Sequence, residues 1–158
     1  MIAAAKKFIA DPQGWLTIWG TNGTGKSVAL RSIATACIDA GQTALYVPLQ
    51  FAVDWLKGGI EHPDFPVDRR AERLAEVPIL CLDEVTGAFW SEWVSTQIET
   101  ILDRRYSYER PTVLAMDENP EEHLHPRLVS RLRESIFIHN EDPDYRRAIG
   151  AAKERKMQ

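Results

Sequence analysis

Apolar positions along the chain form short unbroken runs that take turns with longer helical stripes. "WLTIW" at 15–19 is a compact apolar run halted by Gly20, the pattern of a buried strand feeding a loop. From Ser27 the spacing changes. Leu30, Ile33, Ala34, Cys37 and Ile38 recur at helical intervals until Gly41 supplies a C-terminal stop. "TALYVPL" (43–49) reads as a second strand, and "FAVDWLK" (51–57) as a brief amphipathic helix ended by Gly58 and Gly59. The turn formers of "EHPDFPVD" come next, then a helix in "RRAERLAEV" and the run "PILCLDE", apolar enough for a strand buried on both faces. Val94, Ile98, Ile101 and Leu102 mark one face of a helix from about Ser91 to Tyr108, which leads into the strand "TVLAM" (112–116). "HPRLVSRLRES" is a further helix and "SIFIHN" (135–140) a last strand.

Continuously apolar strands alternating with helices predict a three-layer α/β unit around a mostly parallel, five-stranded sheet. Right-handed crossovers in such a sheet bring the C-terminal ends of the strands to one edge, where ligands bind. The 158 residues, 44% of them hydrophobic and 27% charged, suit one domain, with a core over 1–141 and a short basic tail over 142–158. In its last stretch, "DYRRAIGAAKERKMQ" (144–158), Arg146, Arg147, Lys153, Arg155 and Lys156 outnumber Asp144 and Glu154, which makes it a solvated helix end or a nucleic-acid contact. A net charge of −4 argues against a whole surface that coats nucleic acid. Cys37 and Cys81 sit inside apolar runs, as small buried thiols of a reducing cytosol do. Lys6 and Lys7 break the N-terminal apolar stretch and no run reaches the ~18 residues of a membrane span, so a cytoplasmic location with no membrane partner is expected.

Gly20-Thr21-Asn22-Gly23-Thr24-Gly25-Lys26-Ser27 matches the phosphate-loop pattern and lies between a strand and a helix, the context that pattern needs. Its glycines let the backbone curl into a nest of N–H donors, and the following helix, through Val28, aims its positive end at the same place. Lys26 is expected to reach the terminal phosphates and Ser27 to bind Mg²⁺. In "ILCLDE" a buried strand delivers Asp83, expected to hold Mg²⁺ as the Walker B acid does, and Glu84, placed to orient and deprotonate a water that attacks the γ-phosphate. A kinase that hands phosphate to a bound acceptor has no need of a water-activating Glu, and no Asn-Lys-x-Asp base-reading signal is present. ATP as fuel is the favoured reading.

Taken in order and spacing, "GTNGTGKS", "ILCLDE", "ILDRRYSYERPTVLAMDEN" and "PRLVSRLRE" resemble the AAA+ ATPase domain of bacterial replicative helicase loaders and IstB-type transposition helpers, over about residues 12 to 147. The Arg-Arg-Tyr run at 104–106 ahead of the strand at Thr112 is the most selective part. The resemblance implies that the 112–116 strand lies between the two Walker strands and that Asp117 stands at the sensor 1 position, where the family usually has Asn. An Asp cannot donate to phosphate and its charge repels it, so slow hydrolysis is expected, with Asn119 a possible substitute donor. Arg131 falls at the family's arginine finger, with Arg127 one turn earlier. ATP-dependent head-to-tail homo-oligomers, a replicative helicase or transposase as partner, and contact with single-stranded DNA are further implications. Only about twenty residues follow the final strand, so no C-terminal lid domain is expected, and Arg146 and Arg147 are stand-ins for its sensor arginine.

Of the aromatic residues, Trp15, Trp19, Trp90 and Trp93 read mainly as packing residues, whereas Trp55, Lys57 and Phe65 are candidates for touching DNA. His123 and His125 diverge on a helix and carry no metal expectation. The helicase-loading reading leaves three alternatives open: a transposition helper, a small phosphotransferase with "EHPDFPVD" as its lid, and an ATP-bound adaptor that does not hydrolyse.

Overall fold

The computed structural model describes residues 1–85 and 91–145; Trp90 and residues 146–158 of the basic tail, Arg146 and Arg147 among them, lie outside the described residues. Five strands, β1 (Trp15–Trp19), β2 (Ala44–Pro48), β3 (Ile79–Asp83), β4 (Thr112–Met116) and β5 (Ile136–His139), form one sheet in the order β2-β3-β4-β1-β5. Every pairing is parallel, so the sheet is wholly rather than mostly parallel. β4 does lie between β1 and β3, the arrangement implied by the resemblance.

Side chains alternate across each strand, and the two faces carry separate cores. Leu16 and Ile18, Ile79 and Cys81, and Val113 and Ala115 face α1 (Ile2–Ala10) and α2 (Lys26–Asp39), where Phe8, Leu30, Ile33 and Cys37 close the layer. Leu80, Leu82, Leu114 and Met116 face the other way. They meet α3 (Leu49–Lys57), α4 (Val67–Glu76), α5 (Glu92–Ser107) and α7 (Pro126–Arg133), through Leu56, Leu74, Ile98, Leu102 and Leu132. The continuous apolar runs read from β3 and β4 are therefore both cores at once, which is why those strands are buried at every position.

Two helices have no counterpart in the hydrophobic pattern. α1 is interrupted by Lys6 and Lys7, and it forms because Ala5 and Phe8 pack on α2. α6 (Pro120–His123) is a single turn, too short to show a period, capped by the Asn119 side chain accepting from Glu121 N.

The strand N-terminal edge is tied by Arg105, which is fully buried. Its Nε donates to Thr112 Oγ1, and its remaining donors go to the carbonyls of Leu74, Ala75, Val77, Pro78 and Pro111. The selective Arg-Arg-Tyr run thus contains a clamp that caps the end of α4 and fixes where β3 and β4 begin. Burial pushes the guanidinium pKa down to about 10, still well above neutral pH.

Candidate functional site

At the opposite, C-terminal edge, β1 ends at Trp19 and the chain curls through Gly20 to Gly25 into α2. Gly20 (φ 143°) and Gly23 (φ 83°) adopt backbone angles that side chains disfavour. A Cβ on Gly20 would also run into the Asn140 carbonyl, and one on Gly23 into the Asp144 carboxylate. The loop is braced by the segment after β5. Asn140 N donates to Trp19 O at 2.7 Å, its buried amide donates to Thr24 O at 3.1 Å, and Tyr145 N donates to Gly23 O at 3.0 Å.

Lys26 is 5% exposed, and its ammonium donates to Gly20 O and Thr21 O, each at 2.7 Å, while Asp117 Oδ1 lies 3.0 Å away. The Asn22 amide is assigned with its nitrogen toward Asp117, the orientation in which it donates to both carboxylate oxygens at 2.9 Å. Asp117 is delivered there because Gly20 N bonds the carbonyl of Met116, which locks the end of β4 to the mouth of the loop. Asn119 Oδ1 accepts from Glu121 N and so caps α6.

Asp83 ends β3 and is buried. The Tyr46 hydroxyl on β2 donates to its Oδ2 at 2.6 Å, and Glu84 N donates to its Oδ1 at 2.9 Å. Burial first, and the bond to Asp83 second, hold the Tyr46 hydroxyl above its ordinary range, so it remains a donor at neutral pH. Glu84 takes the left-handed conformation (φ 56°), uncommon for a residue with a side chain, and Val85 N then bonds Ala115 O at 2.9 Å. That kink at the strand end leaves Glu84 exposed beside the loop. Tyr46 was missed by reading the chain because it lies within a strand pattern; only the β2–β3 register brings it to Asp83.

A cavity of about 620 Å³ brings most of these residues together: Asn22 to Val28, Glu84 and Asp117 all line it. Ile2, Ala5 and Ile9 of α1 add an apolar wall, and Tyr145 and Asp142 a further side. Ser27 and Asp83 offer hard oxygen donors of the kind Mg²⁺ takes, and among the described residues no cluster of three or more His, Cys, Asp or Glu could hold a metal by itself. This donor set fits Mg²⁺, which is held by few protein oxygens and completes its shell with phosphates and water.

Arg131 is not at this edge. It pairs with Asp103 of α5, its guanidinium sits 4.6 Å from the Tyr106 ring centre, and it lines a hollow with Gly14, Trp15, Pro111 and Ile136, the strand N-terminal ends. Arg127 is 3.8 Å from the same Asp103. Trp55 and Phe65 meet edge to face at 5.7 Å, with the Arg70 guanidinium 4.5 Å and 5.2 Å from their ring centres. They form a cluster that ties the α3–α4 turn, with Trp55 still partly exposed. Trp15 and Trp93 pack in the core, and Trp19 stacks on His139.

Known proteins share this fold. The chain is 24% identical over 138 residues to the replicative helicase loader DnaC of Escherichia coli K12, a match covering 84% of this chain and 56% of that protein. Its backbone superposes on the crystal structure of a DnaC helicase loader with a TM-score of 0.75 at 18% identity, covering 88% of this chain and 86% of the other. The chain shares the fold of that helicase loader. An AMPPCP-bound DnaA from Aquifex aeolicus superposes at a TM-score of 0.73 and 24% identity, over 87% of this chain and 44% of that one. No protein-family model matches the chain. It spans about half the length of the curated relative it matches, and among the described residues no helix is long and apolar enough to cross a membrane.

Proposed function

We propose that this AAA+ domain binds ATP with Mg²⁺, hydrolyses it, assembles head to tail with further copies, and loads or remodels a replicative helicase on DNA in the cytoplasm. The observation that carries the reading is the convergence of the phosphate loop, Glu84 and Asp117 on one cavity at the strand C-terminal edge. Likeness to a replicative helicase loader and to a DnaA that binds AMPPCP supports it.

In this reading Gly20 to Val28 cradle the phosphates with backbone N–H groups, and Lys26 meets the terminal phosphates. Ser27 and Asp83 hold Mg²⁺, which when bound neutralises the charge gathering on the phosphates. Tyr46 keeps the Asp83 carboxylate oriented. Glu84 takes the proton of the attacking water, and Asp117 contributes at the sensor 1 position. Arg131 lies at the far edge of the sheet from its own phosphate loop, so it serves the site of a neighbouring copy by leaving Asp103. The core over 1–141, the basic tail over 142–158 and contact with single-stranded DNA remain part of this proposal.

The test is loading of a purified replicative helicase onto circular single-stranded DNA in the presence of ATP. The parent loads it and Lys26→Ala does not. Equal loading by the two would overturn the reading, and stimulation of a transposase instead would favour the helper alternative.

A further inference from the structure

We infer that Asp117 is a latch on the phosphate loop that makes this site discriminate by phosphate count, holding nucleoside diphosphate more tightly than triphosphate until its carboxylate is displaced. The inference rests on the nucleotide-binding reading above and deepens it. An ammonium has three N–H donors, and those of Lys26 face Gly20 O, Thr21 O and Asp117 Oδ1. The lysine is therefore fully partnered within its own chain, and its one anionic partner is a carboxylate. Asn22, from the middle of the loop, grips the same carboxylate on both oxygens.

Asp117 thus occupies, anion for anion, the position a terminal phosphate needs. A triphosphate must take the ammonium away from Asp117, break the Asn22 contacts, and then leave its own charge beside the freed carboxylate. A diphosphate is one phosphoryl group shorter, fills the nest of loop N–H groups, and disturbs the latch less. The cavity adds to the bias, because Glu84, Asp117 and Asp142 line it against the cations Lys6 and Lys26. An Asn at 117 would keep an oxygen for Lys26 without the charge. The pair is partly shielded from solvent, with side-chain exposures of 6% for Lys26 and 27% for Asp117, so salt screens it only in part.

The test compares Kd values for ADP and AMPPCP, each with Mg²⁺, by calorimetry on the full chain, in the parent, Asp117→Asn, Asp117→Ala and Lys26→Ala. The parent should bind ADP more tightly than AMPPCP. Asp117→Asn and Asp117→Ala should each tighten AMPPCP by about tenfold or more while moving ADP by less than about threefold, the size expected for one partly buried charge contact. Both should also lower the thermal midpoint of the nucleotide-free protein, because the loop loses its anion. If Lys26→Ala loses both ligands but the Asp117 variants leave the ADP to AMPPCP ratio unchanged, the latch is wrong and the nucleotide site stands. If the parent binds neither ligand, or Lys26→Ala binds both as well as the parent, the nucleotide reading itself fails and the latch falls with it.

Discussion

Lys26 and Arg105 are both buried cations in this molecule, one at each edge of the sheet, and their partners differ in kind. Arg105 gives its donors to five main-chain carbonyls and one threonine hydroxyl. No incoming ligand can replace those acceptors without unravelling α4 or the starts of β3 and β4. Lys26 also holds two carbonyls, but its third partner is a side-chain carboxylate at the mouth of a cavity. That partner can be exchanged for another anion. A buried cation saturated by backbone fixes a fold, whereas one with an exchangeable anion marks a binding site. Arg131 belongs with Lys26 in this respect, since its partner Asp103 is a carboxylate and 36% exposed.

The comparison can be broken in several places. Arg131→Ala should leave nucleotide affinity of the isolated chain intact and lower ATP turnover of the assembly by about 10³-fold or more, measured as phosphate release per protomer. Undiminished turnover would place Arg131 with Arg105 as a structural residue. Arg105→Met should lower unfolding free energy by about 3–5 kcal/mol in urea melts, because it leaves a ring of buried acceptors without donors. A loss no larger than that of a surface substitution would remove the contrast between the two cations. Tyr46→Phe should weaken Mg²⁺-nucleotide binding by about 1 kcal/mol through a less ordered Asp83, with little change in melting temperature. The smallest effect concerns the thiols. Burial pushes the Cys81 thiol up to about 12 and raises Cys37 as well. The thiolate forms of both are therefore scarce near pH 8, and labelling by iodoacetamide should require opening of the sheet. Rapid labelling of Cys81 in the folded protein at pH 8 would contradict the burial of β3.

Much of this architecture is legible along the chain because its strands are buried on both faces and its helices are not. β1, β3 and β4 appear as unbroken apolar runs, and the loop motif sits where one of them ends. α1 escapes the pattern because its lysines interrupt it and only contact with α2 organises it. Of the site, the phosphate loop, Asp83 and Glu84 follow from sequence, since motif and strand end coincide. Asp117 was legible as a position but not as the partner of Lys26 and Asn22. Tyr46 and the α1 wall depend on registers and packing that no local pattern carries. Arg131 was legible only by resemblance, and its partner Asp103 comes from another helix.

The central claim is that the two edges of the sheet meet across copies, Lys26 and Glu84 of one against Arg131 of the next. Solution mass by light scattering tests it most directly, at saturating AMPPCP or ADP with Mg²⁺, each with and without single-stranded DNA. The account predicts multimers with AMPPCP, increased by DNA, and a smaller species with ADP. A monomer under all four conditions, from protein that binds both nucleotides, would contradict it.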